Sequence, residues 1–314
     1  MEKLFRQELK SYTPEWNTRC SIITDLILLI ISLIIGILLI YYSKTNIEIK
    51  IEYTKCSKNF EYISSPNKKL CKILFKIEQK IPKNIYVYYK LENFYLNHRK
   101  LIESKNWREL RGEETNTKIG CRNAYYMNEM FEENSPHYQN EWGHTFNGTD
   151  RASPCGLLAR SFFNDTFELM NENGTYITIE ETGIASPYLK KKFFKRRKDY
   201  QNNQWIDVEN EHFINWMNIE TFNNFQKVWG KITTDLQPGK YYLIVNDNYD
   251  YNISEYGKKY FIISNTNVFG INNLAGYFFI GVAGYLSLII LILSLKYLLC
   301  KESKEVNISK LKWS

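Results

Sequence analysis

"IITDLILLIISLIIGILLIYY", Ile22 to Tyr42, is a run of 21 residues in which Asp25 is the single charge. A helix needs about 20 consecutive apolar residues to cross the hydrocarbon core of a bilayer, so this run predicts a transmembrane helix over residues 22–42. A cleavable secretory leader is the rival reading. Its apolar core is shorter, roughly 7–15 residues, and a small-residue cleavage site follows it. The continuation "YYSKTN" holds no such site. A second run, "GYFFIGVAGYLSLIILILSL" from Gly276 to Leu295, is uncharged and opens on aromatic rings of the kind that favour a membrane interface, predicting a second span over residues 274–295. The mean hydropathy of the whole chain is nevertheless -0.41, so everything between the spans is distinctly polar.

Two spans put both chain ends on one side of the membrane. The tail of residues 1–21 carries Lys3, Arg6, Lys10 and Arg19, and that of residues 296–314 carries Lys296, Lys301, Lys304, Lys310 and Lys312. The positive-inside tendency assigns both tails to the cytosol. Residues 43–273 then form a lumenal or extracellular ectodomain, and the excess of basic over acidic residues in it is small. Nothing in that balance calls for a nucleic acid.

Cysteine placement is an independent test of this topology. Cys20 and Cys300 fall at the cytosolic ends of the spans, where juxtamembrane cysteines can be palmitoylated. Cys56, Cys71, Cys121 and Cys155 all lie in the ectodomain, an even number on the side where bridges persist. Four cysteines admit three pairings. Pairing neighbours would close loops of about 15 and 34 residues, worth roughly 3 and 4 kcal/mol in a chain-entropy treatment. No C-x-x-C pair occurs, which argues against zinc. The sequons at Asn147, Asn164, Asn173 and Asn252 also lie in the ectodomain, within reach of glycosylation, whereas Asn307 lies in the cytosolic tail and is expected bare.

Between the spans, "IEIKIEY" (Ile47–Tyr53) alternates apolar and charged residues with the period of a half-buried strand. "KILFKI", "IYVYYKL", "TYITIE", "KYYLIVN" and "KYFIIS" are short, rich in β-branched and aromatic residues, and punctuated by polar residues, Gly or Pro. The spacing of Phe94, His98, Leu101 and Lys105 predicts one helix ending at Gly112, and a second short helix is expected across "EHFINWMNIETFNNFQKVWGKI". The predicted fold class is a membrane protein with two transmembrane α-helices and a large β-rich, disulfide-bridged ectodomain, an antiparallel β-sandwich of α+β type.

Several stretches resemble the cell-cycle-control-protein-fifty family, also called ligand-effect modulators. They are "FRQ" at Phe5 with "PEW" ending at Trp16, "YYKLENFYLNHRKLIESKN" from Tyr88, "SPCGLLARSFFNDT" from Ser153, "ENEHFINWM" from Glu209 with "TFNNFQKVWGKI" from Thr221, "LQPGKYYLIVNDNY" from Leu236, and "KKYFIISNTNVFGINNLAGY" from Lys258. They follow the family's order. The chain departs from it at "GIASPYLKKKFFKRRKDY" from Gly183, where relatives often carry "GIAW", and in a longer, more acidic segment between Arg122 and Arg151. The resemblance implies bridges Cys56–Cys71 and Cys121–Cys155, a favoured glycan at Asn164, and a role as non-catalytic β-subunit of type-four P-type ATPases that flip phospholipids. That role needs no cofactor or metal, and its partners are the ATPase α-subunit and membrane lipids. Other readings are a subunit of a flippase-like ATPase module fused to another enzyme, a glycosylated receptor or adhesion head, and a lumenal membrane enzyme. Adhesion heads usually hang on one span.

The residues hold no independent sign of catalysis: G-x-S-x-G, H-E-x-x-H, P-loop and G-x-G-x-x-G motifs are all missing. His137 and His144 are the one histidine pair to weigh as ligands, and Glu132 with Glu133 reads as solvated loop charge. The basic run "KKKFFKRRK", Lys190 to Lys198, reads as a solvated hairpin or, through Lys195, Arg196 and Arg197, as an electrostatic contact with acidic loops of the partner. Asp25, about one turn inside the first span, either snorkels to the interface or pairs with a partner helix. Gly276, Gly281 and Gly284 cluster loosely on the second span, where a neighbouring backbone could come close.

Overall fold

The computed structural model of the chain describes residues 18–54, 56, 70–115, 117–133, 135–249, 257–265 and 273–299. Asn252, Cys300 and most of the tail charges lie outside the described residues. The chain divides into two units, one holding the two long helices and the other, Ile47–Thr266, holding the head.

The N-terminal helix runs Thr18–Thr45 and the C-terminal helix Asn273–Leu299, 28 and 27 residues, each extending past the purely apolar run that predicts it. At about 1.5 Å per residue both exceed the ~30 Å hydrocarbon core. They pair antiparallel: Arg19 Nε at the start of the first donates to Tyr297 Oη near the end of the second at 2.8 Å. Small residues line the seam, with Ser32, Gly36 and Ser43 buried on one helix and Gly276 and Ala283 on the other. A Cβ on Gly36 would lie 2.9 Å from Ile280 Cγ1 and 3.1 Å from the Gly276 carbonyl oxygen; one on Gly276 would lie 2.5 Å from Ile40 Cγ1. With almost no hydrophobic drive between helices in lipid, such close approach is what holds a pair together. Away from the seam Ile34, Ile37, Leu291 and Ile292 are each more than half exposed, an apolar surface that calls for lipid or another membrane helix as cover.

The head is two four-stranded antiparallel sheets. One has the order β1-β8-β3-β6, built from Glu48–Glu52, Lys258–Asn265, Ile85–Glu92 and Phe225–Ile232; the other has the order β2-β7-β4-β5, built from Leu70–Ile77, Gly239–Asn246, Thr166–Asn171 and Tyr176–Ile177. In β3 the residues Ile85, Val87, Tyr89 and Leu91 are buried and the intervening ones half-buried, the period-two pattern of a strand with one face in a core. Aromatic rings join the sheets: Phe167 of β4 lies 5.1 Å from Trp229 of β6 and 5.0 Å from Phe261 of β8. Tyr89 stacks on Phe163 at 3.9 Å, just ahead of β4. This is a sandwich with an aromatic core.

Two expectations need correction. The single helix expected to end at Gly112 is two short ones, Arg99–Glu103 and Trp107–Leu110. Asn106 breaks it by capping the second piece, its Oδ1 accepting from the Arg108 N–H at 3.1 Å, the local bond by which Asn competes with a continuous helix. The second expected helix is confined to Glu211–Met217, the end of its stretch being strand β6, and β4 is a strand not expected from the sequence. In β6 a bulge opposite Val87 and Tyr88 breaks the alternation, and Gly230 fits there because a Cβ would meet Ile179 Cγ2 at 2.4 Å.

Candidate partner-binding surfaces of the bridged head

The cysteines pair as Cys56–Cys71, with Cα atoms 5.7 Å apart, and Cys121–Cys155, at 5.2 Å. Each bridge adjoins a buried charge. Near the first, Lys259 of β8 donates to Asp165 Oδ2 at 2.9 Å and also to Asp247, while Tyr53 Oη donates to the same Asp165 oxygen at 3.1 Å and the Tyr249 N–H to Oδ1 at 2.7 Å. Burial holds the Asp165 carboxyl above its usual range, although Lys259 pulls it down. These bonds tie the segment after Phe163 to β8 and to the chain leading to Cys56. No motif points to them; the one signal is a lysine inside the apolar strand "KYFIIS".

At the second bridge the carboxylate of Glu109 accepts the Cys155 N–H at 2.8 Å and pairs with Arg151. Burial pushes Glu109 up, against the pull of the Cys155 N–H and Arg151. Among the described residues Glu109, Cys121 and Cys155 are the one grouping with metal-ligand spacing. The sulfurs are bonded to each other and the carboxylate is fully engaged, so no ligand set is left for an ion. His137 stacks on Phe131 at 4.4 Å and packs edge-on to Trp205, with burial lowering its pKa; His144 packs on Phe146. Both histidines are packing groups.

The basic run is neither a hairpin nor uniformly solvated. Pro187–Phe193 is a helix, and several of the charges are spent within the head. Arg196 forms a two-pronged pair with Asp207, Nε to Oδ1 at 2.9 Å and Nη2 to Oδ2 at 2.5 Å, which raises its pKa. Arg197 pairs with Glu114, and Lys190 with Glu211 at 2.9 Å. Lys191 and Lys195 are exposed, with no ion pair among the described residues. Beside Lys195 lies a cleft of about 240 Å³ lined by Lys105, Trp107, Leu189, Phe194, Ile214, Met217, Asn218 and Ile219. Lys105 Nζ sits 3.8 Å over the Trp107 ring and donates to the Met217 carbonyl at 3.1 Å. Burial, helped by Lys227, brings Lys105 down to about 8. Sequence reasoning missed this cleft, because its walls come from three separated segments.

In the helix pair, Gly276 is used inside the chain, against Ile40 and Gly36, whereas Gly281 and Gly284 face open space. Asp25 is half-buried, with no ion pair or hydrogen bond among the described residues. Of the sequons, Asn147 and Asn173 are exposed in turns, and Asn164 is half-buried beside Asp165.

These features define a two-span membrane protein whose helices carry a disulfide-bridged antiparallel sandwich. The model of the LEM3 (ligand-effect modulator 3) family / CDC50 family matches residues 39–303, and the chain belongs to that family. It is similar to "ALA-interacting subunit 3" of Arabidopsis thaliana, 28% identical over 335 residues that cover 99% of this chain and 89% of that protein. It is similar also to "Cell cycle control protein 50A" of Bos taurus, 28% identical over 350 residues covering 96% and 91%. "Phospholipid-transporting ATPase accessory subunit CDC50" of Chaetomium thermophilum is 27% identical over 277 residues, covering 79% and 65%.

Proposed function

We propose that this chain is the non-catalytic accessory subunit of a phospholipid-flipping type-four P-type ATPase, needed for the ATPase's folding, export from the endoplasmic reticulum and transport activity. One observation carries the reading: the family match runs from residue 39, in the last turns of the first membrane helix, through the head and past the second helix, and the Arabidopsis relative aligns over 99% of the chain, so both spans and the head are what the relatives share. The relatives' names, an ALA-interacting subunit and a phospholipid-transporting ATPase accessory subunit, give its direction. ATP hydrolysis, the phosphorylated aspartate and the lipid path belong to the partner.

The physical contribution is mass action. A subunit that binds only the folded ATPase stabilises it by about 2.7 kcal/mol when present at roughly 100 times its Kd. In this reading the tails are cytosolic and the head lumenal, in the endoplasmic reticulum, Golgi, endosomal or plasma membrane. Asn147, Asn164, Asn173 and Asn252 are then glycosylation positions, and Gly281, Gly284 and Asp25 face the partner's helices. Depleting the chain tests this: the ATPase should stay in the endoplasmic reticulum and lose lipid-stimulated hydrolysis. Normal export and full activity without the chain contradict it.

A further inference from the structure

The cleft beside the basic run combines an apolar cavity with free cations on one surface. Its volume, about 240 Å³, is below the ~300 Å³ at which small-molecule sites begin, which suits one bulky side chain better than a lipid tail. The aromatics at and next to its mouth are open to solvent: Trp107 is 43% and Tyr188 60% exposed. Lys105 has a backbone carbonyl and an indole ring as neighbours but no carboxylate among the described residues. Lys195, exposed and next in the chain to wall residue Phe194, is likewise without an ion pair there, whereas Lys190, Arg196 and Arg197 are all matched internally. The head thus neutralises part of the run and leaves unmatched positive charge around an apolar hole. Charge complementarity then calls for an occupant that is apolar at one point and acidic around it.

We propose that this cleft seats a segment of the ATPase partner, one aromatic or large aliphatic side chain entering between Trp107, Phe194, Met217 and Ile219 while neighbouring carboxylates meet Lys105 and Lys195. The proposal rests on the accessory-subunit reading and adds the chemistry of the contact. Interface anchors of this kind typically weaken binding at least ~10-fold when lost.

The test uses the full chain co-purified with its ATPase. A photoreactive benzophenone amino acid in place of the exposed Asn218 should cross-link to an ATPase peptide that carries Asp or Glu beside an aromatic or aliphatic residue. Lys105→Glu and Trp107→Ala should each speed dissociation of the complex ~10-fold, the former measured against Lys105→Met, which loses the same bond to the Met217 carbonyl without reversing the charge. Should Trp107→Ala fold poorly, Lys105→Glu carries the measurement alone. A complex that forms while the cross-link falls on lipid, within the chain or nowhere, or that dissociates at the wild-type rate in the Lys105→Glu variant, overturns the proposal and leaves the accessory-subunit reading standing. Absence of any ATPase complex with the wild-type chain overturns both.

Discussion

Asp165 and Lys259 are both removed from water, and each is tolerated because the other is there. Deleting one partner of such a pair strands a buried charge, at a cost of about 3–5 kcal/mol. Lys259→Met, which strands Asp165 and Asp247 together, should therefore lower the unfolding free energy of the chain by that amount in urea titration, and Asp165→Asn, which leaves Lys259 paired with Asp247, should cost less. A loss below about 1 kcal/mol would show the network to be peripheral. Glu92 gives a pH test. Burial alone would raise its carboxyl, but hydrogen bonds from Lys90 and Lys50 prevail and bring it from 4.5 down to about 2. A carboxylate depressed in the folded state stabilises above its unfolded value, so the contribution is complete above about pH 4.5 and fades as pH falls towards 2. The urea midpoints of wild type and Glu92→Gln should converge across that window; a constant gap contradicts the assignment. At this scale little was legible beforehand. A lysine within "KYFIIS" reads as a solvent-facing strand residue, and only the fold brings Asp165 and Asp247 to its ammonium.

At the scale of elements, the bridges and the helix pair make distinct predictions. Closing 34 residues, Cys121–Cys155 should stabilise by about 4 kcal/mol, and Cys56–Cys71, closing 15, by about 3. Paired Cys→Ser variants compared by thermal unfolding should show the larger loss for Cys121–Cys155, and the reverse order contradicts the account. In the membrane, Gly36→Leu should disturb the chain's own helix pair, seen as loss of cross-linking between cysteines placed on the two helices. Gly281→Leu should leave that cross-linking intact and weaken ATPase co-purification. The spans were legible because length and apolarity suffice for a helix in lipid. Strand β3 was legible because its alternation is unbroken. Strand β6 was not, since the bulge at Trp229 shifts its period and Lys227 is buried at an inward position, satisfied by the carbonyls of Asn215 and Asn218.

Across the whole molecule, the division of labour follows from what each part offers. The helices present apolar faces and two open glycines, and the head presents a cationic, aromatic-rimmed cleft. Family resemblance was legible from short stretches spread along the chain, but the cleft was not, because Lys105, Leu189 and Met217 are neighbours only after folding. The most direct test of the central claim is affinity purification of the tagged full-length chain from its own membranes, with mass spectrometry of what accompanies it. The account predicts a type-four P-type ATPase in near-equal amount, whose lipid-stimulated hydrolysis is lost when the chain is stripped away. Recovery of the chain alone, or with an ATPase equally active without it, would contradict that claim.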